Sequence, residues 1–256
     1  MDINIPSNHP RAKSLYVREL LVRGFKNGLV APEGLIAQGR GESFDYLLGE
    51  KTSKVARVSA RAASSALLLA KCPVLSVNGN VAALCSNEIV DLSNIVNATI
   101  EVNLFYRNNN RERAIEKQLK ESGAKTVLGV GSRASAIIPE LQSERRRVDP
   151  NGLYKADTVL IPLEDGDRAK AFVNMGKTVI AIDLNPLSRT ARSAQITIVD
   201  NIIRAIPRMI AAAKQLMDKN NKHLMERLVK EFDNRENLLE SLRLIQGGIG
   251  ARPRRY

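Results

Sequence analysis

A chain of 256 residues with 44% hydrophobic and 26% charged side chains has the length and composition of a folded domain with an appendage, not of a disordered segment. Its net charge of +12 leaves two classes of partner open, nucleic acid or polyanionic small molecules, although 4% aromatics offer few platforms for stacking single strands. No apolar run approaches the roughly 20 residues of a spanning helix, and Met1-Asp2-Ile3-Asn4 lacks the basic-then-apolar layout of a signal peptide, so a cytoplasmic protein that meets no membrane is expected.

After a polar lead-in through Asn8-His9-Pro10, residues 11–27 read as a helix, with Val17, Leu21 and Phe25 at four-residue spacing, Leu20 widening the stripe, and Gly28 as its stop. Leu35 to Glu42 then sets Arg40 between Gly39 and Gly41, ahead of Phe44-Asp45-Tyr46. Flanking glycines let backbone approach a ligand while the arginine offers a planar cationic fork. A tight turn with a solvated arginine fits the same residues equally well. Residues 52–71 form a second helix, capped by Thr52 or Ser53, with Val55, Val58, Ala62, Ala66 and Leu69 on one face. Cys72 and Cys85 are not spaced as CxxC and lie far from His9 and His223, so they read as core residues, a disulfide being the alternative.

From Pro73 the grammar becomes strand, turn, helix, repeated. Strands are expected at 74–77, 98–105, 126–130, 158–163, 178–182 and 196–199, with helices at 81–84, 111–121 and 167–175 between them. Residues 139–156 interrupt the pattern as a flap or insertion, with Arg145-Arg146-Arg147 in a loop. A helix at 202–217 carries Pro207, which kinks it or marks a new start, and a last helix runs over 221–245 before a basic tail, Arg252 to Arg255. The chain thus reads as one α/β domain. A helical part (1–72) precedes a Rossmann-like, mostly parallel sheet (73–201), and long C-terminal helices with the tail follow (202–256).

The stretch Thr178 to Ala191 carries most of the chemistry. A buried β-branched strand switches abruptly to Asp183, Asn185, Ser188, Arg189 and Thr190, at the strand edge where open α/β sheets bind ligands. The next strand ends in Asp200-Asn201, a second polar strand end that reads as part of the same site. Asn78-Gly79-Asn80 sits at a strand-to-helix turn, a ready anion site or equally a turn that needs positive φ. Glu164, Asp165 and Asp167 stand at another strand end, suited to Mg²⁺ through its water shell or merely to a helix N-terminus.

Other motifs fail. Gly129-Val130-Gly131-Ser132-Arg133-Ala134 mimics the dinucleotide fingerprint but lacks the acid at the next strand end, and Gly49-Glu50-Lys51-Thr52 lacks the glycines of a P-loop. No serine or cysteine has a partnering histidine. Arginines and polar strand ends suit electrostatic stabilisation of phosphoryl or nucleotidyl transfer. A nucleotide- or nucleic-acid-binding protein without catalytic activity is the alternative.

Taken together, His9-Pro10-Arg11, Gly34 through Glu50, Val77 through Leu84, Pro162 through Arg168 and Asp183 through Arg189 resemble one family over nearly the whole chain. It is the archaeal 4-phosphopantoate–β-alanine ligase, or phosphopantothenate synthetase, family. Gln38 departs from the histidine expected in relatives. The resemblance implies an enzyme of coenzyme A biosynthesis that activates 4-phosphopantoate with ATP, with Mg²⁺ as cofactor. A phosphopantoyl-adenylate forms with release of pyrophosphate, and β-alanine then displaces AMP. It further implies a homodimer and no nucleic acid partner. Asp183, Leu184 and Asn185 would hold adenosine. Arg189 and Thr190 would meet phosphate or ribose, and Asn201 and Ile202 would complete the nucleotide pocket. Arg18 and Arg40 would reach the ATP phosphates, and Asn78, Gly79 and Asn80 the phosphate of phosphopantoate.

Overall fold

The computed structural model describes residues 5–250 apart from Ser7, Pro10, Glu164 and Asn220. Pro10 of the resemblance, Glu164 of the acidic strand end and the Arg252 to Arg255 tail therefore lie outside the described residues. No helix among the described residues is long and apolar enough to cross a membrane.

Three helices open the chain, α1 (Ala12–Lys26), α2 (Pro32–Leu48) and α3 (Lys54–Leu69). α1 ends at Asn27, and Gly28 supplies the left-handed turn with φ of 75°. α2 corrects the expected glycine-bracketed loop, because Arg40 stands in the middle of a helix that starts with Pro32 in its first turn and stops at left-handed Gly49. Gly34 serves close packing, whereas Gly39 has open space beside it. A Cβ on Gly34 would lie 2.4 Å from Asn80 Oδ1, and one on Gly41 would touch Leu184 at 3.5 Å. α3 is capped by Ser53, whose Oγ accepts from the Ala56 N–H at 2.9 Å. Its buried face is alanine and serine apart from Leu67, whereas Val58 faces solvent. Small side chains let α3 approach the eighth helix closely enough for Ser64 Oγ to donate to the Met209 carbonyl at 2.9 Å.

The strand–helix alternation continues, although the strands expected at 98–105 and 126–130 cover only 99–102 and 127–128. It runs β1 (Pro73–Val77), α4 (Gly79–Val96), β2 (Thr99–Val102), α5 (Asn109–Glu121), β3 (Val127–Leu128), β4 (Ala136–Ile137), β5 (Arg147–Val148), β6 (Thr158–Pro162), α6 (Gly166–Asn174), β7 (Thr178–Ile182), α7 (Arg189–Ser193), β8 (Ile196–Ile198), α8 (Ile202–Asp218), α9 (Lys222–Lys230) and α10 (Asn234–Gly250). The six-stranded sheet has the order β3-β2-β1-β6-β7-β8, all neighbours parallel. The chain reverses direction of travel between β1 and β6, and in such sheets the crevice at that reversal binds the ligand. Apolar cores fill both faces, one reaching α1, α3, α4, α5 and α8, the other α6 and the segment around Val148.

Residues 139–156 are not a flap. β4 and β5 pair antiparallel, and Leu141, Val148 and Leu153 are buried in the second core. Glu101, fully buried on β2, accepts the N–H groups of Asp149 (2.9 Å) and Leu153 (2.5 Å). A Cβ on Gly152 would lie 2.0 Å from its carboxylate. Burial pushes the Glu101 pKa up to about 7 against the pull of those two hydrogen bonds.

The single terminal helix expected over 221–245 is instead two. Asp233 caps α10 by accepting from the Glu236 N–H. Asn234 breaks the run physically, donating to the Ala191 and Ala194 carbonyls while accepting from the Thr197 N–H. α8, by contrast, runs through Pro207 without a new start. The helix expected over 81–84 extends to Val96, bending at Cys85 (φ −153°, ψ 40°). Both cysteines are free, Cys85 buried with its thiol pKa raised by burial.

Candidate functional site

A cleft of about 580 Å³ opens at the carboxyl ends of β1, β6 and β7, with α2 along one wall. Asn78 stitches its floor. The Asn78 Oδ1 accepts from the Val81 N–H and caps α4, while Nδ2 donates to the Pro162 and Leu163 carbonyls at 3.1 Å each. Both strand ends at the chain reversal are thereby held by one side chain, with Leu163 in a left-handed conformation (φ 53°). Gly79 does not need positive φ, as a turn would. It is glycine because a Cβ would lie 2.1 Å from the Leu29 carbonyl oxygen. Asn80 turns its Nδ2 to the Gly34 carbonyl at 2.8 Å, fixing α2 over the mouth of α4.

The β7 end is a chain of short-range polar contacts. Asp183 accepts from the Asn185 N–H (2.9 Å) and from Ser188 Oγ (2.5 Å), and Ser188 Oγ in turn caps α7 through the Ala191 N–H. Burial raises the Asp183 carboxyl pKa, opposed by the Ser188 and Asn185 hydrogen bonds and the charge of Arg40. Leu184 and Thr190 are buried at the cleft wall, and exposed Arg189 pairs with Asp167. Arg40, Asn78, Gly79, Asn80, Asp183, Leu184, Asn185, Arg189 and Thr190 therefore line one cavity.

Arg18, Asn201 and Ile202 do not line that cavity. Arg18 donates from Nε (3.0 Å) and Nη2 (2.8 Å) to the Glu42 carboxylate on α2, which raises its pKa. Asn201 caps α8 and donates from Nδ2 to Asp45 Oδ2 at 2.9 Å, while Ile202 is core. Around Asn201 lies a buried network. Arg204 is clasped by Asp45 and by Asp200, and Thr52 Oγ1 donates to Asp200 Oδ2 at 2.7 Å. Through Asp45 the network ties the start of α8 to α2, the helix that carries Arg40.

Arg111, Arg145 and the Leu104-Phe105-Tyr106 turn line the β2 side of the cleft, and no motif in the sequence marks them as site residues. Arg145 was legible only as one of three adjacent loop arginines. The β4–β5 connection turns it inward until 7% of it remains exposed. Burial pushes its pKa down to about 9, partly offset by Asp165, 3.3 Å from its Nε. The dinucleotide-like glycines sit elsewhere, on a three-residue 3₁₀ turn after β3, where Gly131 N–H meets Glu112. Among the described residues no three His, Cys, Asp or Glu side chains gather to hold a metal ion.

A doubly wound parallel sheet with a polar, arginine-bearing cleft at its reversal point defines a Rossmann-like α/β protein. The model of the phosphopantothenate/pantothenate synthetase family matches residues 55–248, and the chain belongs to that family. Among its relatives, the 4-phosphopantoate--beta-alanine ligase of Thermococcus onnurineus is 49% identical over 255 residues, covering 96% of this chain and 97% of the relative. The proteins of the same name from Thermococcus kodakarensis (50% identical, 94% of this chain, 91% of the relative) and Methanosarcina mazei (52%, 95% and 94%) are similarly close.

Proposed function

We infer that this chain is an ATP-dependent ligase that joins 4-phosphopantoate to β-alanine, with an acyl-adenylate as intermediate. The observation that carries the reading is the single cleft that Arg40 and Arg189 line together with the Asp183-Leu184-Asn185 strand end and the mouth of α4. Near-full-length identity to ligases of that name supports the substrate pair.

In this reading Asp183, Leu184 and Asn185 bind adenosine through the strand end. Arg189 and Thr190 bind ribose or phosphate oxygens. Arg40 stabilises the charge that develops at the α-phosphate as the phosphopantoate carboxylate attacks it, breaking the bond to pyrophosphate. The amine of β-alanine then attacks the acyl carbon, AMP leaves, and an amide with one proton lost remains. Neither step needs an enzyme nucleophile. Asn78, Gly79 and Asn80 contribute to the phosphopantoate side of the cleft. Arg18, Asn201 and Ile202 enter the proposal through α2, the first two by holding Glu42 and Asp45 and the third as the core beneath them. Mg²⁺ would arrive with ATP, phosphate oxygens and water filling its octahedral shell. A homodimer belongs to the same reading, and would cover exposed Tyr16, Val22 and Phe25 of α1.

Product analysis with ATP, Mg²⁺, 4-phosphopantoate and β-alanine tests it. AMP and pyrophosphate formed only when phosphopantoate is present is the expected outcome. ADP with phosphate would replace the adenylate by an acyl phosphate, and absence of nucleotide turnover would overturn the ligase reading.

A further inference from the structure

α2 buries two side chains, and both are polar. Gln38 and Asp45 stand seven residues apart, and so on one face of the helix. Asp45 accepts hydrogen bonds from Arg204 and from Asn201 Nδ2. Gln38, at 8% exposure, makes no hydrogen bond to any described residue. A buried amide with neither end satisfied costs free energy that folding does not return, and such groups are few in native proteins. Gln38 also lines the cleft, where a bound molecule can supply the missing partners.

Its place in the cleft limits what that molecule presents. One turn back, Gly34 packs on Asn80 at the mouth of α4, and three residues on, Gly41 touches Leu184 of the β7 strand end. Gln38 therefore stands between the acid side and the nucleotide side of the cleft. Arg40 lines the same cleft as an exposed cation suited to anionic oxygens, whereas Gln38 is uncharged and lies on the buried side of the helix. A primary amide sets one acceptor beside one donor group. That pair matches a hydroxyl next to a carboxylate, the hydroxyl giving its proton to Oε1 while a carboxylate oxygen takes one from Nε2. The acid of the ligase reading is such a compound, with a free hydroxyl on the carbon beside its carboxylate. β-Alanine is not. An adenine edge offers an amide a similar pair, and the nucleotide arm of the test separates the two.

We propose that Gln38 recognises the hydroxyl and the adjacent carboxylate oxygen of the acid substrate, and so selects an α-hydroxy acid over its deoxy analogue. This rests on the ligase reading above.

The test sets 4-phosphopantoate against its analogue lacking that hydroxyl, in the wild-type enzyme and in Gln38→Met, which keeps the side chain's length and removes the amide. Wild-type turnover of 4-phosphopantoate is measured first, because its absence defeats the ligase reading by itself. Protection against thermal unfolding then decides Gln38 whether or not turnover is seen. The wild type should be protected by 4-phosphopantoate at concentrations about tenfold or more below those of the analogue, and Gln38→Met should erase that difference. Equal or absent protection by the two acids, or a difference that survives the substitution, overturns the proposal. With turnover, Gln38→Met should raise the KM for 4-phosphopantoate about tenfold or more and leave the KM for ATP within about twofold. A rise confined to the KM for ATP assigns Gln38 to the nucleotide and overturns the proposal too. The melting temperature of unliganded Gln38→Met should be unchanged or higher, since no protein partner is lost, whereas a structural role for the amide would lower it. Should Gln38→Met fail to fold, Gln38→Ala, which suits a helix, decides by the same comparison of the two acids.

Discussion

Single side chains decide much of this molecule, and Glu101 shows how. Its two carboxylate oxygens each take one N–H of the inserted segment, in a site with no exposure. With the folded pKa raised to about 7, the neutral form is favoured by folding. The contribution is fully present below the ordinary glutamate pKa and is lost as pH rises through about 7. Glu101→Gln should remove that slope from melting temperature measured between pH 5 and 8. It should also lower stability by about 1–3 kcal/mol, because its amide group confronts a backbone N–H that needs an acceptor. An unchanged slope would assign the pH dependence elsewhere. Arg40 is the opposite case, an exposed side chain at the cleft rather than a strut of the core. Arg40→Ala should slow adenylate formation at least tenfold, about 1.4 kcal/mol, with no change in melting temperature. Unaltered turnover would remove it from the mechanism.

At the scale of elements, α2 is the wall that completes the site, and it is held by polar contacts more than by apolar ones. Asp45 is the centre of that anchorage, accepting from Arg204 and Asn201 inside a nearly dry pocket. Burial works against the Arg204 charge, and the Asp45 and Asp200 carboxylates more than restore it. Asp45→Ala leaves Arg204 with one acid and Asn201 with a lost acceptor. It should cost about 2–3 kcal/mol of stability and raise the KM for ATP severalfold through displacement of Arg40, read by denaturation and steady-state kinetics. A stability loss with unaltered ATP kinetics would show that the anchorage does not reach the site.

For the molecule as a whole, the alternation of strands and helices was readable because most parallel strands are short apolar runs rich in β-branched residues, as Val179 to Ile182 is. Strand order was not, since nothing local in β1 says that β6 will lie beside it. The cluster formed by Asp183, Asn185, Arg189 and Arg40 was readable too, from residue type at strand ends and from the family resemblance. Two things hid the rest. Glycines around Arg40 argued for a loop, whereas they sit inside a helix, Gly39 beside open space and Gly41 in ordinary contact with Leu184. Arg145 looked like a loop residue because the contacts that hold its segment are distant in sequence, among them Asn103, which donates to its carbonyl.

The glycines of α2 have one more consequence. Gly34, Gly39 and Gly41 each weaken helix formation by roughly 0.5–1 kcal/mol relative to alanine, and a helix of 17 residues so composed is not stable by itself in water. Its helical form therefore depends on tertiary contacts, among them those of Asn80, Arg18 and Arg204 and the packing of Leu35 and Leu48 against the cores. Detaching this wall should therefore be coupled to melting it, and amide hydrogen exchange along α2 would report that coupling.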